Sequence, residues 1–224
     1  MKPLSEAHFA ILRRHMVEVV EIEYDLMAQE IGQSAPSLAV RAAMLDNPRH
    51  LFVPAQLASL AYENRPLPIG FSKTISQPFL SALMLDLLEL EPGQAVLEVG
   101  TGLGYQTALL SQLGARVWSI DVVEEFVTFA TAQLKALERA HVTLRIGDGS
   151  RGWPEAGPFD AILVSAAAKE LPHHLAGQLA VGGRMVLPLG PAGSQRLVQI
   201  RREDAAEVSV REIMPVAFTE LETV

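Results

Sequence analysis

The segment LEVGTGLGY, positions 97 to 105, constrains the fold more than any other stretch. A short apolar run ends in an acid and is followed by glycines at alternate positions 100, 102 and 104. Such a run reads as a parallel strand entering a tight turn and then a helix, with backbone left bare where another group must approach. The spacing is G-x-G-x-G, and Tyr105 stands where the G-x-G-x-x-G pattern would continue. From residue 95 onward strand and helix patterns alternate. AVLEV (95–99), RVWSID (116–121), VTLRIGD (142–148), FDAILVSAA (159–167) and RMVLPLG (184–190) are strand candidates, with helical patterns at 105–113, 123–139 and 171–180. This order predicts an α/β fold: a doubly wound, mostly parallel sheet with helices on both faces. The tail reads as two more strands, QRLVQIRR and EVSVREIMPVAF, antiparallel so as to close the sheet.

Upstream, Phe9, Leu12, Met16, Val19, Val20, Ile22 and Leu26 recur at spacings of three and four, which predicts an amphipathic helix over 6–30. A second short helix is expected at 37–45, ending before Asn47-Pro48. The proline-rich stretch 48–78 reads as a long irregular connection, and a helical pattern starts at 79. At 224 residues the expectation is one domain, comprising a helical N-terminal subregion with its connection (1–78), a core (79–194) and C-terminal strands (195–224).

The charge narrows the function classes. A formal net charge of -8, with no run of five or six like charges, argues against an extended nucleic-acid surface. The absence of cysteine removes disulfides, thiolate metal sites and cysteine nucleophiles. Charges interrupt the N-terminal segment where a signal peptide needs an apolar core, and no apolar stretch approaches the ~18 residues of a membrane span. A cytoplasmic protein without a membrane or nucleic-acid partner is expected, and the sequence fixes no oligomeric state.

Acids fall at successive strand ends: Glu98, Asp121 and Asp148. In an open α/β sheet, ligands bind outside the carboxyl ends of the strands, near the reversal of strand order. Asp121, 21 residues after Gly100, lies where an acid can accept hydrogen bonds from ribose hydroxyls, and Asp148-Gly149 lies where the adenine would rest. Glu98 disfavours a pyrophosphate and favours a cationic ligand. S-adenosyl-L-methionine, a nucleoside with a sulfonium and an ammonium group, fits all three. Asp160 reads as an acid orienting a loop. The histidines form no metal face, and no H-E-x-x-H or carboxylate cluster points to a metal.

The sequence resembles the protein-L-isoaspartate (D-aspartate) O-methyltransferases, within the Rossmann-like methyltransferases. The blocks that carry the resemblance are PRHLFVP (48–54) with AYENRPLPIG (61–70), TISQP (74–78), VLEVGTGLGYQTALLSQL (96–113), and GDGSRGWPEAGPFDAILVSAAA (147–168) with QLAVGGRMVLPLG (178–190). TISQP after AYENRPLPIG is the most particular of them. The resemblance implies S-adenosyl-L-methionine-dependent methylation of isoaspartyl residues in damaged proteins or peptides, with Ser76 as the catalytic serine. It implies a cofactor site drawn from Thr74, Ile75, Glu98, Gly100, Thr101, Gly102, Gly104, Tyr105, Asp121, Val122, Asp148 and Gly149, and acceptor contacts from Lys73, Gln77, Ala217 and Phe218. From the residues alone, Thr74 with Gln77 also reads as a T-x-x-Q capping box for the helix starting near Pro78. A serine hydrolase is disfavoured because no G-x-S-x-G elbow occurs.

The departures from the family pattern fall on the acceptor side. Ser72-Lys73 replaces the usual Gly-Gln before TISQP, and VAFTEL (216–221) replaces V-R-F-V-P-L, losing an arginine and gaining an acid. A methyltransferase acting on a different carboxylate, and a non-catalytic S-adenosyl-L-methionine-binding module, are the alternatives these departures leave open.

Overall fold

The computed structural model describes residues 4–204 and 207–223. The helices are α1 (Glu6–Leu26), α2 (Ala28–Ile31), α3 (Leu38–Asp46), α4 (Pro78–Leu88), α5 (Tyr105–Gln112), α6 (Glu124–Ala136) and α7 (His173–Ala176). The strands are β1 (Leu67–Gly70), β2 (Lys73–Ile75), β3 (Ala95–Val99), β4 (Arg116–Asp121), β5 (Val142–Ile146), β6 (Phe159–Val164), β7 (Leu179–Leu189), β8 (Arg196–Arg202) and β9 (Val208–Pro215).

Seven strands form one sheet in the order β5-β4-β3-β6-β7-β8-β9. Strands β3 to β7 are parallel, and β8 and β9 run antiparallel at the edge, as the tail pattern predicts. The chain winds outward from β3 through β4 to β5, then returns to β6 on the other side of β3. That reversal opens a crevice at the carboxyl ends of β3 and β6, where open α/β sheets bind ligands.

Helices α4, α5 and α6 cover one face of the sheet, and α1 and α3 add a further layer over α4. Sandwiched between α1, α3 and strands β6 and β7, α4 buries Phe79, Leu83, Met84, Leu85, Leu87 and Leu88, on all its sides. Its Asp86 looks out of place there but accepts the Tyr24 hydroxyl at 2.8 Å and the Ser37 amide at the start of α3. The other face is thinly covered. The helix predicted at 171–180 shortens to the four residues of α7, because β7 begins early, at Leu179, and takes the Gly182-Gly183 pair into the strand. Phe159, Leu175, Leu179 and partly buried Trp153 fill this second core in place of full-length helices.

The stretch expected to be irregular holds two 3-10 turns, Arg49–Phe52 and Ala55–Leu60, and the β1–β2 hairpin. The hairpin turn, Phe71-Ser72, has φ of 49° and 57°. Paired positive φ values are the geometry for which hairpins ordinarily choose Asn-Gly or Asp-Gly. Neither residue announces that turn, so the hairpin is invisible to turn chemistry. No helix among the described residues is long and apolar enough to cross a membrane.

Candidate active site

The crevice at the strand reversal opens into a cavity. Its floor is Gly100 and Gly102, with Asp121 and Val122 at the end of β4 and Gly149 after β5. Ile69, Lys73 and Thr74 of the hairpin, Phe126 of α6, Ser165, and the C-terminal segment Thr219 to Glu222 form its walls. The glycines differ in purpose. Gly104, at φ 93°, is outside the cavity lining; a Cβ there would sit 3.0 Å from Ala130 Cβ, so it permits close packing of α5 on α6. Gly149 has an ordinary φ, but a Cβ would lie 2.5 Å from Val99 Cγ1 and close the cavity floor into β3.

The three acids at the strand ends do three different things. Asp121 faces the cavity, its Oδ2 accepting the Gly102 N–H at 2.8 Å and its Oδ1 the Val123 N–H at 2.9 Å. Burial pushes its pKa up, while those two N–H bonds and the Lys73 ammonium pull it back. Asp148 does not line the cavity. Its Oδ1 accepts the Ser150 amide at 2.9 Å, and it caps the 3-10 turn Gly149–Arg151, so its neighbour Gly149 is the residue that meets the cavity. Glu98 is wholly buried beneath the turn. Its Oε2 accepts the Thr107 and Ser119 hydroxyls, each at 2.5 Å, whereas its Oε1 has no partner. Ser119 has one proton, which it gives to Glu98, so Thr101 must donate to Ser119 Oγ across their 2.6 Å contact. With no cation beside it, burial holds the Glu98 carboxyl up at about 7. Asp160, placed by sequence near a loop, accepts the Ala95 N–H at 2.7 Å and ties the start of β3.

Beyond the glycine turn lies a smaller inner cavity lined by Thr74, Ile75, Ser76, Thr101, Tyr105 and Ser165, among others. An outer groove opens next to it, lined by Glu23, Gln77, Phe79, Leu80 and Val216 to Thr219. Ser76 stands on the wall shared by these two spaces, and Thr74 and Ser165 border all three. Ala217 and Phe218 lie in the groove. The backbone of Phe218 is pinned by Gln195, whose Oε1 accepts its N–H at 2.6 Å and whose Nε2 donates to its carbonyl at 3.0 Å. Lys73 turns away from the groove and pairs with Glu222 at 2.6 Å beside the larger cavity, so it supplies no charge to the acceptor side.

The capping box expected from Thr74 and Gln77 does not form. Gln77 is itself the N-cap of α4, with Pro78 in the first turn, and Thr74 remains on β2. The Phe79 N–H is satisfied instead by Asn64 Oδ1 at 3.0 Å. Gln77 points its amide at Glu23, reaching both carboxylate oxygens at 3.3 Å.

Arg49 holds Ser76 in place, and no sequence pattern singled it out. The guanidinium is completely buried, with no carboxylate partner among the described residues. Nε donates to the Ala61 carbonyl and Nη2 to the Ser76 carbonyl, both at 2.8 Å, and the group lies 5.0 Å from the centre of the Tyr105 ring. Burial pushes it down to about 10, which leaves it charged at neutral pH. One side chain thus joins PRHLFVP, AYENRPLPIG and TISQP. Tyr105, packed against it, keeps an unpartnered hydroxyl whose pKa burial raises to about 12.

The family model for protein-L-isoaspartate(D-aspartate) O-methyltransferase matches residues 21–223. The chain belongs to that family. A protein-L-isoaspartate O-methyltransferase of Polaromonas sp. strain JS666 is 42% identical over 219 residues, covering 98% of this chain and 93% of the relative. Another, from Nitrosospira multiformis, is 46% identical over 221 residues, with 98% and 90% covered. Among solved structures, a Plasmodium falciparum protein described as a protein-L-isoaspartate O-methyltransferase, in complex with S-adenosyl-L-homocysteine, aligns with a TM-score of 0.73 at 25% identity. That alignment covers 83% of this chain and 91% of that one. Family membership accounts for the Rossmann-like sheet and the glycine turn.

Proposed function

We propose that this family member transfers a methyl group from S-adenosyl-L-methionine to the α-carboxylate of L-isoaspartyl residues in proteins or peptides. The observation that carries this reading is the position of Ser76 on the wall between the space beside the glycine turn and the outer groove. The larger cavity suits the methyl donor: Asp121 keeps lone pairs for ribose hydroxyls, and Ile120, Val122 and Phe126 give apolar surface for a base. The bound cofactor supplies an electrophilic methyl group. Thr74, Ile75, Gly100, Thr101 and Gly102 line the passage between donor and acceptor spaces.

The acceptor carboxylate is already ionised at neutral pH, so no general base is required. Ser76 donates its hydroxyl to that carboxylate and holds one oxygen in line for attack. Such positioning is worth roughly 7–11 kcal/mol of barrier in well-oriented systems. Arg49 acts one step back, fixing the Ser76 carbonyl so that the hydroxyl keeps its direction. The resulting ester closes to a succinimide with loss of methanol, and hydrolysis returns part of the product to normal aspartate, which is the repair.

Ser76→Ala separates catalysis from binding. Methanol release from an isoaspartyl peptide should fall about 100-fold, the usual cost of one positioned donor. Affinity for S-adenosyl-L-homocysteine, followed by titration calorimetry, should stay within about twofold, because a positioned donor acts on the acceptor alone. Undiminished turnover contradicts the assignment.

A further inference from the structure

Among the described residues, the outer groove is lined by no lysine, arginine or histidine, and its one ionisable side chain is Glu23 of α1. This is an unusual setting for an enzyme whose acceptor is an anion. Lys73, the cation nearest in sequence to Ser76, is committed to Glu222, and the acid of the C-terminal segment, Glu220, pairs with Lys169. Glu23 is tied into the acceptor side: Gln77, adjacent to Ser76 in the chain, donates to both of its oxygens, and Asn64, which caps α4, donates to Oε2. Both donors are neutral amides. No cation among the described residues compensates the half-buried carboxylate, and burial raises its pKa despite those hydrogen bonds.

We infer that Glu23 is a specificity-determining residue, selecting acceptors that carry a lysine or arginine side chain next to the methyl-accepting carboxylate. Resting on the isoaspartyl reading above, the inference follows from charge balance. An isoaspartyl carboxylate entering beside Gln77 brings a second negative charge close to Glu23, and like charges in a partly desolvated groove repel. A cation on the neighbouring substrate residue sits between the two and reverses that penalty. An acidic neighbour adds a third negative charge. The net charge of -8 acts in the same direction at longer range by steering cationic peptides toward the protein.

The test uses three isoaspartyl peptides identical except for Lys, Gln or Glu beside the isoaspartyl residue. Wild-type kcat/KM at low salt should follow Lys, then Gln, then Glu, with about tenfold or more between the extremes. In Glu23→Gln the Lys-to-Glu ratio should collapse to within about threefold, a change that a purely structural role for Glu23 would not produce. Glu23→Lys, carried through the same series, should invert the order. An unchanged ratio in Glu23→Gln, or a wild-type enzyme indifferent to the neighbouring charge, overturns the inference while leaving isoaspartyl methylation intact. Methylation of none of the three overturns the isoaspartyl reading, and this inference falls with it.

Discussion

Arg49→Leu is expected to destabilise the protein by about 3 kcal/mol and to cut methyl transfer further than the lost stability explains. The substitution leaves the buried Ala61 carbonyl and the partly buried Ser76 carbonyl without their donor, at a cost of about 1–3 kcal/mol for Ala61 and less for Ser76. Relief from burying a cation with no carboxylate partner offsets part of that loss. What remains is a Ser76 loop no longer tied to the 3-10 turn Arg49–Phe52. Arg49→Lys reaches one carbonyl at best, and its compact ammonium cannot reproduce the fork that spans both. It should recover part of the stability and little of the activity. Urea midpoints at constant m, read alongside kcat, provide the check. A loss under about 1 kcal/mol, or a lysine variant as active as wild type, contradicts this role for Arg49.

The second large effect is a pH dependence written into Glu98. The folded protein holds the Glu98 proton up to about 7, whereas an unfolded chain releases it near the ordinary value of 4.5. Between those values the folded state binds more protons than the unfolded state. Stability therefore falls as pH rises through this window and levels off above it, by on the order of 3 kcal/mol in total. Glu98→Gln has no proton to lose and keeps groups that can pair with the Thr107 and Ser119 hydroxyls. The variant should gain on wild type by about 2–3 kcal/mol on going from pH 5 to pH 8. Buried acids with raised values that do not interact with Glu98, Asp86 among them, cancel in the difference. Parallel curves for the two proteins contradict the account.

The sheet was readable because apolar β-branched runs separated by helical patterns have few alternative folds; AVLEV and RVWSID coincide with β3 and β4 residue for residue. Two features were hidden for physical reasons. The hairpin turn uses Phe71 and Ser72 at positive φ without glycine or asparagine, and β7 starts at Leu179 and takes in Gly182-Gly183, ahead of the strand expected at 184–190. At the site, sequence places acids at strand ends but does not show which oxygens the local backbone has already claimed. Asp121 lends an oxygen to each of two amides and still faces the cavity, Asp148 is turned to its own cap, and Glu98 serves the hydroxyls beneath the turn. Glu23 was missed because it lies on α1, remote in sequence from TISQP, and Asn64 because nothing within AYENRPLPIG marks its side chain as the cap of α4. Arg49 was missed because a single arginine in a proline-rich stretch looks like surface, and only packing reveals a buried cation binding carbonyls.

The central claim is that Ser76 and the groove beside it present an isoaspartyl carboxylate to the methyl donor. The most direct measurement supplies methyl-labelled S-adenosyl-L-methionine with two matched peptides, one isoaspartyl and one aspartyl, and counts base-labile methanol. The account predicts label in the isoaspartyl peptide alone. Label in both peptides, or in neither, would contradict it.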